Sequence, residues 1–271
     1  MNPFWQRILN ARLSFGRPGE PREMSFLEHL EELRWHIVRA LAGLIIAMIL
    51  CGIYSDFIVQ EILMRPLVGV GMKAQVLTPY GIVLLYMQTV LIAGFILSMP
   101  NTLFWLWRFV APGLLPKERR YVAWIVAFTS LCFFAGVAFA YFILLPTALK
   151  FFATFGTQYI EMNPAIDRYV GFVLTLVVGA GLVFELPMIT YFLSKMGILT
   201  PAFMRKYRRH ALVVILIIAA VVTPTPDMVT QLLLALPMVA LYEVSIIVAK
   251  FAQPKPIIDE EDKPADQEPA G

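Results

Sequence analysis

The chain has 271 residues, of which 59% are hydrophobic and 15% charged, and its formal net charge is only +3. An ordinary soluble domain is nearer half apolar and a quarter charged. The composition therefore excludes one and reads as an all-α, polytopic membrane protein, with no charge excess to suggest a nucleic-acid partner.

Residues 1–24 read as a separate N-terminal extension. They carry Arg7, Arg12, Arg17 and Arg22 but lack the continuous apolar run of a cleaved export signal. Trp5, Ile8, Leu9 and Leu13 can form an interfacial turn, which Gly16, Pro18, Gly19 and Pro21 then break. Ser25 followed by Glu28 reads as a capping box opening a helix. Phe26, Leu30, Leu33 and Ile37 recur at helical spacing and line one face. Glu28, Glu31 and Glu32 point elsewhere. Carboxylates at the mouth of a membrane helix are costly against lipid, so they imply a wet surface or a cationic partner. His29, Glu32 and His36 also share a helix side, but no fourth ligand is evident, so no metal is expected there. His36 reads instead as an interfacial residue.

A membrane helix needs about 20 mostly apolar residues. Candidate spans are Trp35–Phe57, Ile82–Trp107, Tyr121–Leu145, Tyr169–Leu193, a short Ala211–Val222 and Met228–Ala249. Six spans put both termini on one side. All but four of the 22 Lys and Arg residues, the exceptions being Arg65, Lys73, Lys150 and Arg168, fall on that same side. This bias assigns both termini to the cytoplasm. Residues 25–251 form the membrane domain, and 252–271, acidic and proline-rich, read as a disordered cytoplasmic tail.

The first outer loop, Asp56–Tyr80, carries Arg65-Pro66 and Thr78-Pro79 and reads as a short helix between two turns. Pro100, Pro146, Pro187 and Pro237 lie inside apolar runs and mark kinks. The fifth span is too short for the hydrocarbon core, covering about 18 Å against roughly 30 Å. Thr223-Pro224-Thr225-Pro226-Asp227 turns the chain after it, and Asp227 can cap the returning helix. The fifth and sixth spans thus make a short hairpin that either stops inside the membrane or thins it. Cys51 and Cys132 are isolated in apolar runs and form no framework.

Among ionisable residues, Glu185 stands out, deep in the fourth span beside Pro187. An acid there must be paired, protonated or wet. Glu32 and Glu118 both fall on the cytoplasmic face. Two carboxylates from different segments suit two guanidiniums, each bound through a planar fork. Gln231 in the first turn of the last span reads as helix–helix glue. No nucleophile–base pair or phosphate loop is visible, so the chain does not read as an enzyme.

His29-Leu30-x-Glu32-Leu33-Arg34, Phe109-Val-Ala-Pro112-Gly113-Leu-x-x-x-Glu118-Arg119-Arg120 and Phe139-Ala140-Tyr141-Phe142 occur in that order. They are followed by Phe184-Glu185-Leu-Pro187 and Thr223-Pro224-x-Pro226-Asp227-x-x-x-Gln231. This series resembles the TatC family, the core subunit of the twin-arginine protein translocase, over roughly Ser25–Phe251. The resemblance implies a curved, cup-like bundle of six helices in the cytoplasmic (inner) membrane. It implies a receptor for the twin-arginine signal peptides of folded cargo, exported with the proton-motive force and without a cofactor. Glu32 and Glu118 match the carboxylates that hold the paired arginines, with Arg34, Phe109, Arg119 and Arg120 beside them. Pro66 matches a proline of the first outer loop. Glu185, Asp227 and Gln231 match positions tied to the concave membrane face and to the single-span TatA and TatB subunits, in a homo-oligomeric complex surrounded by lipid. His36 stands where the family often has a second basic residue, and Tyr80 stands near a common aromatic pair. Two other readings compete: a proton-coupled small-solute transporter using Glu185, and a structural scaffold without peptide binding.

Overall fold

The computed structural model describes residues 26–110, 122–155, 163–223 and 227–252. The described chain is almost wholly helical. Its helices are α1 (Phe26–Ile53), α2 (Arg65–Gly69), α3 (Gly81–Val110), α4 (Val122–Phe139) and α5 (Leu145–Ala153), then α6 (Ile166–Val183), α7 (Leu186–Lys195), α8 (Pro201–Lys206), α9 (Arg208–Val222) and α10 (Met228–Ala252). Five helical stretches are long and apolar enough to cross a membrane: Leu30–Ile53, Gly81–Val110, Ala123–Ala153, Ile166–Lys195 and Met228–Ala252.

The side chains that face inward are not the largest apolar ones. On α1, Leu30, Ile37, Leu41 and Ile45 are all exposed, whereas His36, Ala47 and Cys51 are buried. The face drawn from Leu30 and Ile37 is therefore the outer one. In lipid the apolar face has no water to escape, so small residues that permit close approach decide which face meets protein. α1 packs along α3, α3 against α4 and α6, and α4 against α6. At the α1–α3 crossing, a Cβ on Gly94 would lie 2.9 Å from the Met48 Cα. At the α4–α6 crossing, a Cβ on Gly136 would lie 2.7 Å from the Ala180 carbonyl oxygen. Only glycine permits either approach. The last helices form a second group in which α7, α8 and α9 all pack on α10.

Proline explains most irregularities. A proline donates no N–H, so the carbonyl four residues earlier loses its helical partner. Before Pro66 the chain makes a π turn over Ile58–Leu63, and before Pro146 another over Ala140–Leu144. Pro66 orphans the Ile62 carbonyl. Tyr141, from the second π turn, donates its hydroxyl to that oxygen at 2.8 Å. The buried Tyr169 of α6 donates to the neighbouring Leu63 carbonyl at 2.6 Å. One side chain thus repairs what Pro66 breaks, and a second holds the next carbonyl along. The first outer loop holds more helix than a single short segment, because Ser55–Leu63 continues as helical turns before α2.

The fourth span is two helices, with α6 ending at Val183 and α7 starting at Leu186. Pro187 in the first turn of α7 accounts for the break. α9 begins at Arg208, three residues before the expected Ala211, and has 15 residues. At about 22 Å it remains shorter than the hydrocarbon core. Gly197, with φ of 74°, reverses the chain after α7, and the Thr200 hydroxyl oxygen caps α8 by accepting from the Phe203 N–H.

The loop after α2 and the loop before α6 join at one end of the bundle. The Gln75 N–H donates to the Pro164 carbonyl at 3.0 Å, and the Ile166 N–H donates to the Gln75 carbonyl at 2.8 Å. The Lys73 N–H adds a bond to the Asn163 side-chain oxygen at 3.3 Å. This clasp between residues far apart in sequence has no signature in either loop alone.

Candidate functional site

The start of α1 and the end of α3 meet, because the two helices are antiparallel neighbours. Glu32 is half-buried and Arg34 exposed. One turn on, His36 is buried and its Nδ1–H donates to the Glu32 backbone carbonyl at 2.7 Å, not to the carboxylate. The His36 ring sits edge-on to Trp105 at 5.5 Å and to Phe109 at 6.1 Å. Glu32 and Phe109 are thus brought to one end of the α1–α3 pair through His36. Glu118, Arg119 and Arg120 lie outside the described residues.

Indole and imidazole are held from behind. Trp105 Nε1–H donates to the Asn101 side-chain oxygen at 3.1 Å, and Asn101 Nδ2 donates to the Ala40 carbonyl at 3.3 Å. Neither Asn101 nor Trp105 emerged from the sequence as a site residue. A signal existed in Asn101, an amide inside an otherwise apolar run, where an interhelical hydrogen bond is the usual reason.

The intramembrane residues fall into separate groups. Asp227 accepts a bond from the Thr230 N–H at 2.6 Å, which caps α10. Gln231 donates to the Leu216 carbonyl at 3.0 Å and ties α10 to α9. Glu185 occupies the junction of α6 and α7 and is 7% exposed. Its backbone carbonyl accepts from the N–H groups of Met188 and Ile189, while its Oε1 has no hydrogen-bond partner among the described residues. A buried carboxyl oxygen without a partner is costly at membrane depth.

Pro66 lies elsewhere, on the wall of an apolar pocket of about 960 Å³ between α1, α3, the α4–α5 turn and α6. Glu61 and Arg65 supply its charged lining residues, and Thr89, buried and without a hydrogen-bond partner among the described residues, its polar spot. Glu185 does not line this pocket. The sequence-derived residues therefore divide among the helix end that holds Glu32 and Phe109, a hairpin tie at Asp227 and Gln231, a buried acid and a pocket wall.

Comparison with known proteins aligns with this geometry. The family described as Sec-independent protein translocase protein (TatC) matches residues 28–237. The Sec-independent protein translocase protein TatC of Carboxydothermus hydrogenoformans is 37% identical over 87% of this chain and 97% of its own length. That of Helicobacter pylori strain J99 is 36% identical over 86% of this chain and 92% of its own. Among solved structures, the crystal structure of a twin-arginine translocase receptor, TatC, superposes with a TM-score of 0.74 at 35% identity. It covers 83% of this chain and 99% of that one.

Proposed function

The chain belongs to the TatC family of Sec-independent protein translocase proteins, and from that premise we propose how it serves as the signal-peptide receptor of the twin-arginine translocase. It is a membrane transport protein. Glu32 and Glu118 together hold the paired arginines of an incoming signal peptide, with Arg34, Arg119 and Arg120 shaping the surrounding charge and Phe109 its apolar wall. The observation that carries this reading is the convergence of Glu32, His36 and Phe109 at one end of α1 and α3. There Glu32 and Phe109 share one end of the helix pair, with the His36 ring between them. Guanidinium binds carboxylate through two parallel hydrogen bonds, which explains a demand for arginine over lysine.

That end is cytoplasmic, with both termini, and the six helices form a cupped bundle in the inner membrane. The peptide's apolar stretch follows the arginines into the membrane-embedded interior past Glu185. Bound peptide then recruits the single-span TatA and TatB subunits to the concave face and to the α9–α10 hairpin, whose short span thins the bilayer where cargo crosses. Homo-oligomeric assembly completes the complex, and the proton-motive force drives export. A small-solute carrier using Glu185 is disfavoured because the family is a protein translocase and Glu185 does not line the large pocket.

The test is binding of a twin-arginine peptide and a twin-lysine control to the purified chain. Losing a hydrogen bond to a charged group costs about tenfold in affinity or more. Glu32→Ala is expected to weaken the twin-arginine peptide by at least that factor and the twin-lysine peptide by less, since an ammonium loses the charge attraction but had no planar fork to lose. Equal affinity of parent and Glu32→Ala protein for the twin-arginine peptide would remove the assignment.

A further inference from the structure

We propose that Arg39 and Arg108, gathered on the Trp105 indole, form a binding site for the phosphate of an anionic phospholipid headgroup. The Arg39 Cζ lies 4.8 Å from the Trp105 ring centroid and the Arg108 Cζ 5.6 Å from it. Both side chains are exposed. Neither has a carboxylate partner among the described residues, whose ion pairs are Arg168–Asp167 and Arg208–Glu243. Two cations brought to one ring repel each other. The ring's π face offsets part of that repulsion, and the remainder marks a place where an anion is favoured.

The platform beneath them is built. Trp105 is fixed through its N–H to Asn101, and Asn101 is fixed to the Ala40 carbonyl. Gly43 makes the room, since a Cβ there would fall 2.1 Å from the Asn101 Nδ2. His36 and Phe104 hold the indole edge-on at 5.5 and 5.2 Å. An indole held by Asn101, His36 and Phe104 presents the two guanidiniums in a repeatable position. Arg108 also sits in the last turn of α3, where the helix carbonyls favour a cation.

Arg108 lies in the last turn of its membrane-spanning helix, Arg39 reaches the same indole from the tenth residue of the span Leu30–Ile53, and tryptophan favours the headgroup level. Planar guanidiniums match phosphate oxygens two at a time. The exposed Trp35, one turn before Arg39, and the exposed Leu106, two residues before Arg108, supply apolar surface for acyl chains. That surface favours a lipid over free phosphate, although the anion chemistry is the same. Basic sites between transmembrane helices are the usual form of such recognition. The pair adjoins the Glu32 corner, since His36 packs on the same indole, but its charge selects an anion where Glu32 selects a cation.

The experiment is native mass spectrometry of the delipidated full chain in detergent, titrated with phosphatidylglycerol, with phosphatidylcholine, and with phosphatidylglycerol in excess inorganic phosphate. Each basic residue near an anionic surface contributes roughly a fivefold gain in affinity. The R39Q/R108Q protein is expected to bind phosphatidylglycerol about 30-fold more weakly than the parent. Its affinity for phosphatidylcholine should not change, nor should inorganic phosphate displace the parent's lipid. The R39K/R108K protein, which keeps both charges and loses the planar fork, covers the case in which the glutamine pair fails to fold. It is expected to lose phosphatidylglycerol severalfold. Unchanged phosphatidylglycerol affinity in either variant overturns the proposal, and so does complete displacement by inorganic phosphate, which assigns the pair to the free anion.

Discussion

The repair of Pro66 by Tyr141 can be measured as a coupling. Pro66 has no N–H for the Ile62 carbonyl, and the Tyr141 hydroxyl supplies the missing donor at 2.8 Å. Tyr141→Phe removes the donor and leaves the ring in place. A carbonyl left without a partner costs about 1–3 kcal/mol in general, and interhelical hydrogen bonds in membranes lie at the lower end. We expect a loss of about 1 kcal/mol in an otherwise unchanged protein. Pro66→Ala restores a backbone N–H that can reach Ile62 by ordinary helical pairing. In that background the same Tyr141→Phe change should cost only a few tenths of a kcal/mol, because its acceptor is already satisfied. The assay is reversible unfolding of the four proteins in mixed detergent and SDS micelles, followed by circular dichroism. If Tyr141→Phe costs the same with proline and with alanine at position 66, the hydroxyl is not replacing the lost donor and the reasoning fails.

Three further outcomes are expected. Gly136→Ala should destabilise the chain by about 1–3 kcal/mol by forcing α4 off the α6 backbone, while Gly171→Ala, where nothing lies within 4 Å of the added Cβ, should be neutral or stabilising by up to about 1 kcal/mol; the same unfolding assay compares them, and equal effects contradict the close crossing. Glu185→Gln keeps the shape and removes any buried charge, so its stability should fall within about 1 kcal/mol of the parent or above it; a larger loss means the carboxylate has a partner. Gln75→Pro removes the N–H that reaches Pro164 and should make both joined loops more susceptible to limited proteolysis, a change that an unaltered cleavage pattern would rule out.

Much of the helical plan could be read from the sequence. The long apolar runs are helices, Asp227 caps α10 as its place after Pro226 suggests, and Gln231 makes the tie expected of an amide in a membrane helix. Helix faces were harder to read. The rule that large apolar side chains turn inward belongs to water, and in α1 the buried positions are His36, Ala47 and Cys51. Pro187 hinted at a kink, but the two-helix break beside Glu185 needed the backbone to be seen. The tyrosine bonds to the Ile62 and Leu63 carbonyls ahead of Pro66 join residues remote in sequence, as does the loop clasp. Of the candidate site, Glu32 and Phe109 were legible as types at the right ends of their helices. What joins them, the His36 ring and the indole behind it, depends on how α1 lies against α3.

The bonds that link Gln75 to Pro164 and Ile166 do for this bundle what a rivet does for a pair of tongs. α3 starts just after that joint and runs 30 residues to the edge of the Glu32 site, a lever of about 45 Å. The clasp fixes where α3 and α6 set out relative to each other, and the far end of α3 is fastened separately to α1 through Asn101 and His36.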